Sequence, residues 1–274
     1  MKYKNLVFWI LAILITLSSA IYQRLTGPTH PIRGKILVED SIVKFKFARS
    51  HGKNSNHKVK VIAADPSITA ELIYKRYKTA DSLTIIPMTR EGENLVGELP
   101  HQPPAGKLMY RVKVMKDARK ISLTGDDFVI IRFTGVVPNW VLITHVLFMF
   151  LAMLLSNRAG LEAIPSSGHP QNYVWLTVIF LFIGGMILGP MVQNYAFGDY
   201  WTGFPFGTDL TDNKTAIAML AWFVALFAGR KGRKARGWVI LAAFILLAIY
   251  LIPHSMFGSE LDYSQMPDAA QSLN

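Results

Sequence analysis

Val129-Ile130-Ile131-Arg132-Phe133-Thr134-Gly135-Val136-Val137-Pro138-Asn139-Trp140-Val141-Leu142-Ile143-Thr144-His145-Val146-Leu147-Phe148-Met149-Phe150 holds two kinds of order, and they meet at Pro138. Before the proline, Val129, Ile131 and Phe133 alternate with Ile130 and Arg132. A period of two is the mark of a strand with one face buried. After it, an apolar run continues to Ser156 with no ionisable side chain except His145. A bilayer takes about 20 helical residues to cross, so this second part reads as a membrane span. The chain therefore leaves a β domain and enters a membrane at this point.

Toward the N-terminus the period of two persists. Val43, Phe45 and Phe47 alternate with Lys44 and Lys46, Val59 and Val61 with Lys58 and Lys60, and Tyr110, Val112 and Val114 with Arg111 and Lys113. Turn residues separate these runs: His51-Gly52-Lys53-Asn54, Asp65-Pro66-Ser67, Glu91-Gly92-Glu93-Asn94 and Gly125-Asp126-Asp127. Seven to nine strands at this spacing predict a sandwich over residues 28–137. The stretch Leu99-Pro100-His101-Gln102-Pro103-Pro104-Ala105-Gly106-Lys107-Leu108-Met109-Tyr110-Arg111-Val112 resembles the corner and following strand of a fibronectin type III or related Ig-like domain. The resemblance implies a fold and a tyrosine that caps the corner; it implies no activity. His51, His57 and His101 lie in or beside turns, where solvation is the ordinary fate of a histidine, and a metal site from His51 and His57 is possible if the turn closes a hairpin.

Toward the C-terminus three more apolar segments follow, so that 6–22, 140–156, 173–192, 215–228 and 238–253 give about five spans. The expected fold class is a membrane α-helical bundle with an inserted all-β Ig/fibronectin III-like sandwich. Residues 1–24 form an N-terminal anchor, and Ser18-Ser19-Ala20 also fits a signal peptide's cleavage site. Lys2, Lys4 and the run Arg230-Lys231-Gly232-Arg233-Lys234-Ala235-Arg236 belong in the cytoplasm by the positive-inside rule. Residues 138–257 then form a four-helix region with an outer loop at 194–213 and a cytoplasmic loop at 229–237. The β domain and the tail 258–274 fall outside the cytoplasm. Gly184-Gly185 and Gly189-Pro190 in the third span predict close helix packing and a kink.

The 274 residues carry a net charge of +11 and no cysteine. Disulfides and thiolate metal sites are thereby excluded. A basic surface outside the cytoplasm suits lipid headgroups or an acidic envelope partner, and nucleic acid is not expected as a partner. Lysines on outward strand faces also serve the plain purpose of keeping sheet edges from pairing. These features fit a bacterial cytoplasmic membrane.

The outer loop concentrates the candidate functional residues. Phe197, Tyr200, Trp201, Phe204 and Phe206 lie close together with Gly198, Gly203 and Gly207, and Asp209, Asp212 and Lys214 follow at the mouth of the fourth span. Aromatic rings favour the headgroup zone. Carboxylates so near hydrocarbon need pairing or water: Asp212 is the expected N-cap of the span, and Lys214 the expected counter-ion of Asp209. His145 and His254 lie at similar depth on flanking spans.

Phe197-Gly198-Asp199-Tyr200-Trp201, Asp212-Asn213-Lys214-Thr215 and Trp222 together resemble the tryptophan-rich haem-handling segment of cytochrome c assembly membrane proteins. Here the two parts are split by an insertion, and the family's Asp-Pro pair and later tryptophans are absent. The resemblance implies haem, with His145 and His254 as iron ligands and 197–206 as an aromatic platform. No P-loop, dinucleotide glycine pattern, HExxH or nucleophile elbow occurs. The leading expectation is a non-enzymatic envelope protein in an assembly or accessory role, meeting membrane lipids and an envelope protein through 28–137. The alternatives are haem or metal handling, and an enzyme using Asp209 or Asp212 on a lipid-linked substrate at the outer face.

Overall fold

The computed structural model describes residues 2–117, 119–229, 235–253 and 260–265. His254 and the basic run 230–234 lie outside the described residues. The chain divides into a helical unit (1–28 and 137–259) and a β unit (29–136 and 260–274).

The helical unit contains α1 (Lys2–Thr26), α2 (Asn139–Ala163), α3 (Gln171–Phe197), α4 (Leu210–Ala228) and α5 (Ala235–Leu251). By length and composition, α1 to α4 can cross a membrane, whereas α5 is shorter at 17 residues. Prolines and glycines set the ends. Pro138 and Pro170 precede α2 and α3, where a missing N–H costs nothing. Gly198 closes α3 in the left-handed conformation at φ 94°, as a C-terminal glycine does. A buried cluster that includes Met153, Val174, Met219, Trp222 and Leu246 joins α2 to α5. Asn157 donates to Thr16 Oγ1 at 3.0 Å and ties α1 to α2.

The third span departs from a regular helix. Residues Phe182–Leu188 form a π-helical stretch, and Gly189 N donates to Gly184 O across five residues. Pro190 offers no N–H and its ring would strike the preceding turn, so the ladder is displaced here. The glycines pack as their spacing suggested. A Cβ on Gly185 would stand 2.7 Å from Thr215 Cγ2 of α4, and one on Gly184 would stand 3.0 Å from Phe148 Cβ of α2.

Among the described residues the β unit has eleven strands, more than the seven to nine the turn spacing suggested. They are β1 (Ile32–Val38), β2 (Ser41–Phe47), β3 (Ser50–His51), β4 (His57–Ala63), β5 (Thr69–Arg76), β6 (Thr84–Pro87), β7 (Thr89–Glu91), β8 (Asn94–Leu99), β9 (Lys107–Lys116), β10 (Arg119–Ser122) and β11 (Val129–Phe133). The extra members are the short pieces β3, β7 and β10, too brief to show a period. One sheet runs β1-β2-β4-β8-β7 and the other β3-β11-β9-β5-β6, with β10 paired to β9. Both sheets feed one core: Val43, Phe47, Val61 and Leu99 from the first, Leu72, Tyr110, Val112 and Phe133 from the second. Each such large side chain contributes about 1.5–3 kcal/mol by leaving water.

Two polar devices close this core. Arg90 donates to the carbonyls of Ala63 at 2.8 Å, Asp65 at 3.0 Å, and Ile68, which holds the β4–β5 turn. Tyr110 is fully buried and donates to Ala48 O at 2.9 Å. Ala48 lies where the chain passes from β2 in one sheet to β3 in the other. Tyr110 therefore ties the sheets together instead of capping the 99–106 corner, because its ring points into the core from an inward position of β9.

Replacing Tyr110 with Phe leaves the Ala48 carbonyl unsatisfied among apolar side chains. The expected loss is about 1–2 kcal/mol, seen as a lower denaturation midpoint of the detergent-solubilised protein. An unchanged midpoint would remove this bond from the account.

Candidate functional site

The loop after α3 is organised by a single carboxylate. Asp212 is 6% exposed. Its Oδ2 accepts from Thr202 N at 2.6 Å, Gly203 N at 3.1 Å, Gln193 Nε2 at 3.0 Å and Thr202 Oγ1 at 3.4 Å. Its neighbour Asn213 accepts from Phe204 N at 2.7 Å through Oδ1. The loop thus folds back on the first turn of α4. A carboxylate that gathers backbone N–H groups at a helix N-terminus has its charge stabilised twice, by charge-assisted bonds and by the helix dipole.

The N-cap expected at Asp212 falls to Asp209. Asp209 is the N-cap, accepting from Thr211 N at 2.7 Å through Oδ1, and Asp212 sits in the first turn as the hub of the loop. Both positions fit an N-terminal carboxylate in sequence, and only the path of the loop assigns them. Lys214 is 4% exposed and donates to Ile252 O at 3.2 Å. Its ammonium group thereby meets the carbonyl end of α5, where the helix dipole favours a cation.

Three aromatic residues of the loop are exposed. Tyr200, Phe204 and Phe206 are 62%, 79% and 83% exposed. Trp201 is half-buried and donates its indole N–H to Phe204 O at 3.1 Å. Phe197 is the last residue of α3 and is half-buried. His145 lies in the seventh position of α2 and donates from Nδ1 to Gly184 O at 2.9 Å. That carbonyl also accepts from Gly189 N, so the histidine braces the π-helical stretch. Its Nε2 keeps a lone pair. The structure therefore joins Asp212 to Thr202, Gly203 and Gln193, and joins His145 to α3.

A cleft at the other end of α2 went unread in the sequence. Arg158 is 2% exposed. It bonds Glu162 at 2.7 Å and Asn5 Oδ1 at 2.6 Å, and stacks over Tyr173 at 4.5 Å. Lys4, Asn5, Glu162, His169 and Tyr173 line with it a cavity of about 650 Å³. Glu162 four residues after Arg158 was the available signal. Arg236, at the start of α5, donates to Ala163 O and Ile164 O at the same end of α2.

In the β unit the tail residues close the corner that Tyr110 does not. Tyr263 accepts Lys107 N–H at 3.0 Å and reaches Gln102 Oε1 at 3.0 Å. A Cβ on Gly106 would stand 3.0 Å from its hydroxyl. Leu261 N donates to Ala105 O at 3.3 Å. Glu260 binds Lys78 at 2.9 Å and Lys107 at 3.5 Å. Burial pushes the Glu260 carboxyl up, but the Lys78 hydrogen bond and the Lys107 charge outweigh it and hold the group below its ordinary value. Arg76, bidentate to Asp81 at 2.6 and 2.9 Å, stands over the Tyr263 ring. Among the described residues no group of three His, Asp or Glu side chains converges as a metal site. No protein-family model matches the chain, and no curated protein matches it.

Replacing Asp212 with Ala strands two backbone N–H groups and takes one of its two acceptors from the Gln193 amide. A loss of about 2–3 kcal/mol is expected, with new protease cleavage between 198 and 209. Resistance equal to the parent protein would show that the loop does not depend on this carboxylate.

Acid should release the tail. A carboxyl whose folded value is depressed contributes stability above its ordinary value and loses it as pH falls through the folded value. A spin label at Ser264→Cys should become mobile as pH falls below the ordinary glutamate range, and Glu260→Gln should make it more mobile at neutral pH. A label equally immobile above and below that range would contradict the role given to Glu260.

Proposed function

We propose that the chain is a non-enzymatic membrane protein of the bacterial envelope, in which five spans hold an Ig- or fibronectin III-like domain outside the cytoplasm to meet lipid or an envelope partner. The contact between the tail and the β domain carries this reading. Glu260, Leu261 and Tyr263 touch Lys78, Ala105 and Lys107, so all of them share one side of any membrane the helices cross. Between Phe133 and Glu260 lie α2, α3, α4 and α5. Only an even number of crossings returns the chain to the same side. If the three longer helices cross, α5 crosses too, and its 17 residues meet the lower limit of about 17 for a span. With α1 that makes five.

Other features agree. Lys4 and Arg158 share one cleft, as residues on a common cytoplasmic face would. In the β unit, β2, β4 and β8 lie in one sheet and β6, β5, β9 and β11 in the other, and β3 pairs in parallel with β11 after the chain changes sheets. This order supports an immunoglobulin-type sandwich. Arg33, Lys35, Lys44, Lys46, Lys58 and Lys60 are exposed in the first sheet, with Lys35 directly opposite Lys44. Like charges so placed repel, which an anionic partner would relieve. Asp209 and Asp212, the acid–base groups of the enzyme alternative, are both engaged by backbone amides, and this favours a structural role for them.

Haem handling is a second reading, favoured by His145. A ring that donates Nδ1–H to a backbone carbonyl and keeps the Nε2 lone pair has the arrangement of a metal-ligating histidine. A Soret band after haem is offered, lost in His145→Ala, would promote it; a colourless protein would retire it.

The absence of cysteine makes the leading reading directly testable. Asn54→Cys, Ser264→Cys and Gly232→Cys are labelled in intact cells with a membrane-impermeant maleimide. The first two should react at once and the third only after permeabilisation. Reaction of Gly232→Cys in intact cells, or protection of either of the others, would overturn the placement on which the function rests.

A further inference from the structure

The histidines of the β domain form a pair that no other part of the account uses. His51 ends β3 in one sheet and His57 begins β4 in the other. The intervening residues 52–56 fold one ring against the other, with centroids 4.9 Å apart and planes at 66°. The two Nδ1 atoms lie 3.1 Å apart. His51 Nε2 lies 2.9 Å from Ser55 O. A carbonyl only accepts, so Nε2 carries the proton, and the lone pair of neutral His51 sits on Nδ1, aimed at His57. Phe133 packs edge-on against His51 at 5.5 Å, and Asn56 accepts His101 N–H at 2.9 Å. The His51 ring is therefore held by Ser55 and Phe133.

Two imidazole nitrogens bound to one cation at about 2.0–2.1 Å stand about 2.9 Å apart at a right angle and about 3.3 Å apart at a tetrahedral angle. The observed separation of 3.1 Å falls between these. We propose that His51 and His57 form a bidentate site, through their Nδ1 atoms, for a divalent transition-metal cation of the imidazole-preferring class. Cu2+ should bind ahead of Ni2+ and Zn2+. The Ser55 carbonyl that fixes the His51 ring is the outer partner such a ligand needs. On binding, the proton of His57 Nδ1 moves to Nε2 of the same ring, so no net proton is lost. With two protein ligands the remaining positions belong to water. Such an open site suits an exchangeable ion more than a structural one. The inference is independent of the membrane placement proposed above.

The test uses tag-free, full-length protein in detergent, titrated with Cu2+ and followed by electron paramagnetic resonance and calorimetry. One equivalent should bind with hyperfine coupling to two imidazole nitrogens. His51→Ala and His57→Ala should each lose one coupled nitrogen and weaken binding about tenfold or more. His101→Ala, outside the pair, should retain both. His51→Gln and His57→Gln keep much of the side-chain volume and decide the matter if an alanine variant fails to fold. No uptake by the parent protein, or the same spectrum and affinity in both single variants, would overturn the site.

Discussion

Backbone N–H and C=O groups inside an apolar bundle must find partners within the chain, because no water is there to take them. The third helix is where this demand is hardest to meet. Pro190 removes a donor, and the π-helical stretch Phe182–Leu188 displaces the ladder. Gly184 O then takes bonds from Gly189 N and from His145 of α2. The glycines that allow α2 and α4 to come close are the same ones that expose this carbonyl to a side chain. Helix irregularity, close packing and the position of the one histidine in α2 are thus consequences of a single local requirement.

The loop between α3 and α4 obeys the same rule with charge added. Its amides cannot all face solvent while the chain turns tightly between α3 and α4. Asp212 collects them with one carboxylate, and Asp209 serves the helix end. Two acidic residues near hydrocarbon are read most readily as functional groups. Their hydrogen bonds give them a structural occupation, and the loop also presents exposed aromatic rings. Lys214 is the counterpart at the end of α5, where its ammonium meets a helix carbonyl end.

In the β domain Tyr110 likewise takes a role other than the expected one. A corner that precedes a strand invites a tyrosine from that strand. Tyr110 instead joins the two sheets at Ala48, and Tyr263, more than 150 residues further on, fills the corner. Gly106 leaves the room for it. The tail thereby becomes part of the β unit, although four helices separate the two in sequence.

The period of two before Pro138 and the unbroken apolar runs after it were sufficient to divide the chain into a β unit and long apolar helices. Both signals are local, since burial repeats every two residues on a sheet and an apolar span has no polar face to keep. Turn chemistry likewise marked most strand ends. Partner choice was not legible. Whether Asp209 or Asp212 caps α4, which carbonyl receives His145, whether Arg158 is a boundary charge or the floor of a cleft, and that His51 and His57 face each other depend on contacts between residues far apart in sequence or on the path of a loop. A lone carboxylate or imidazole looks the same in sequence whether it is solvated or fully bonded. Only the tertiary structure brings its partners within hydrogen-bond reach, because the free energy that selects those partners comes from burying them together.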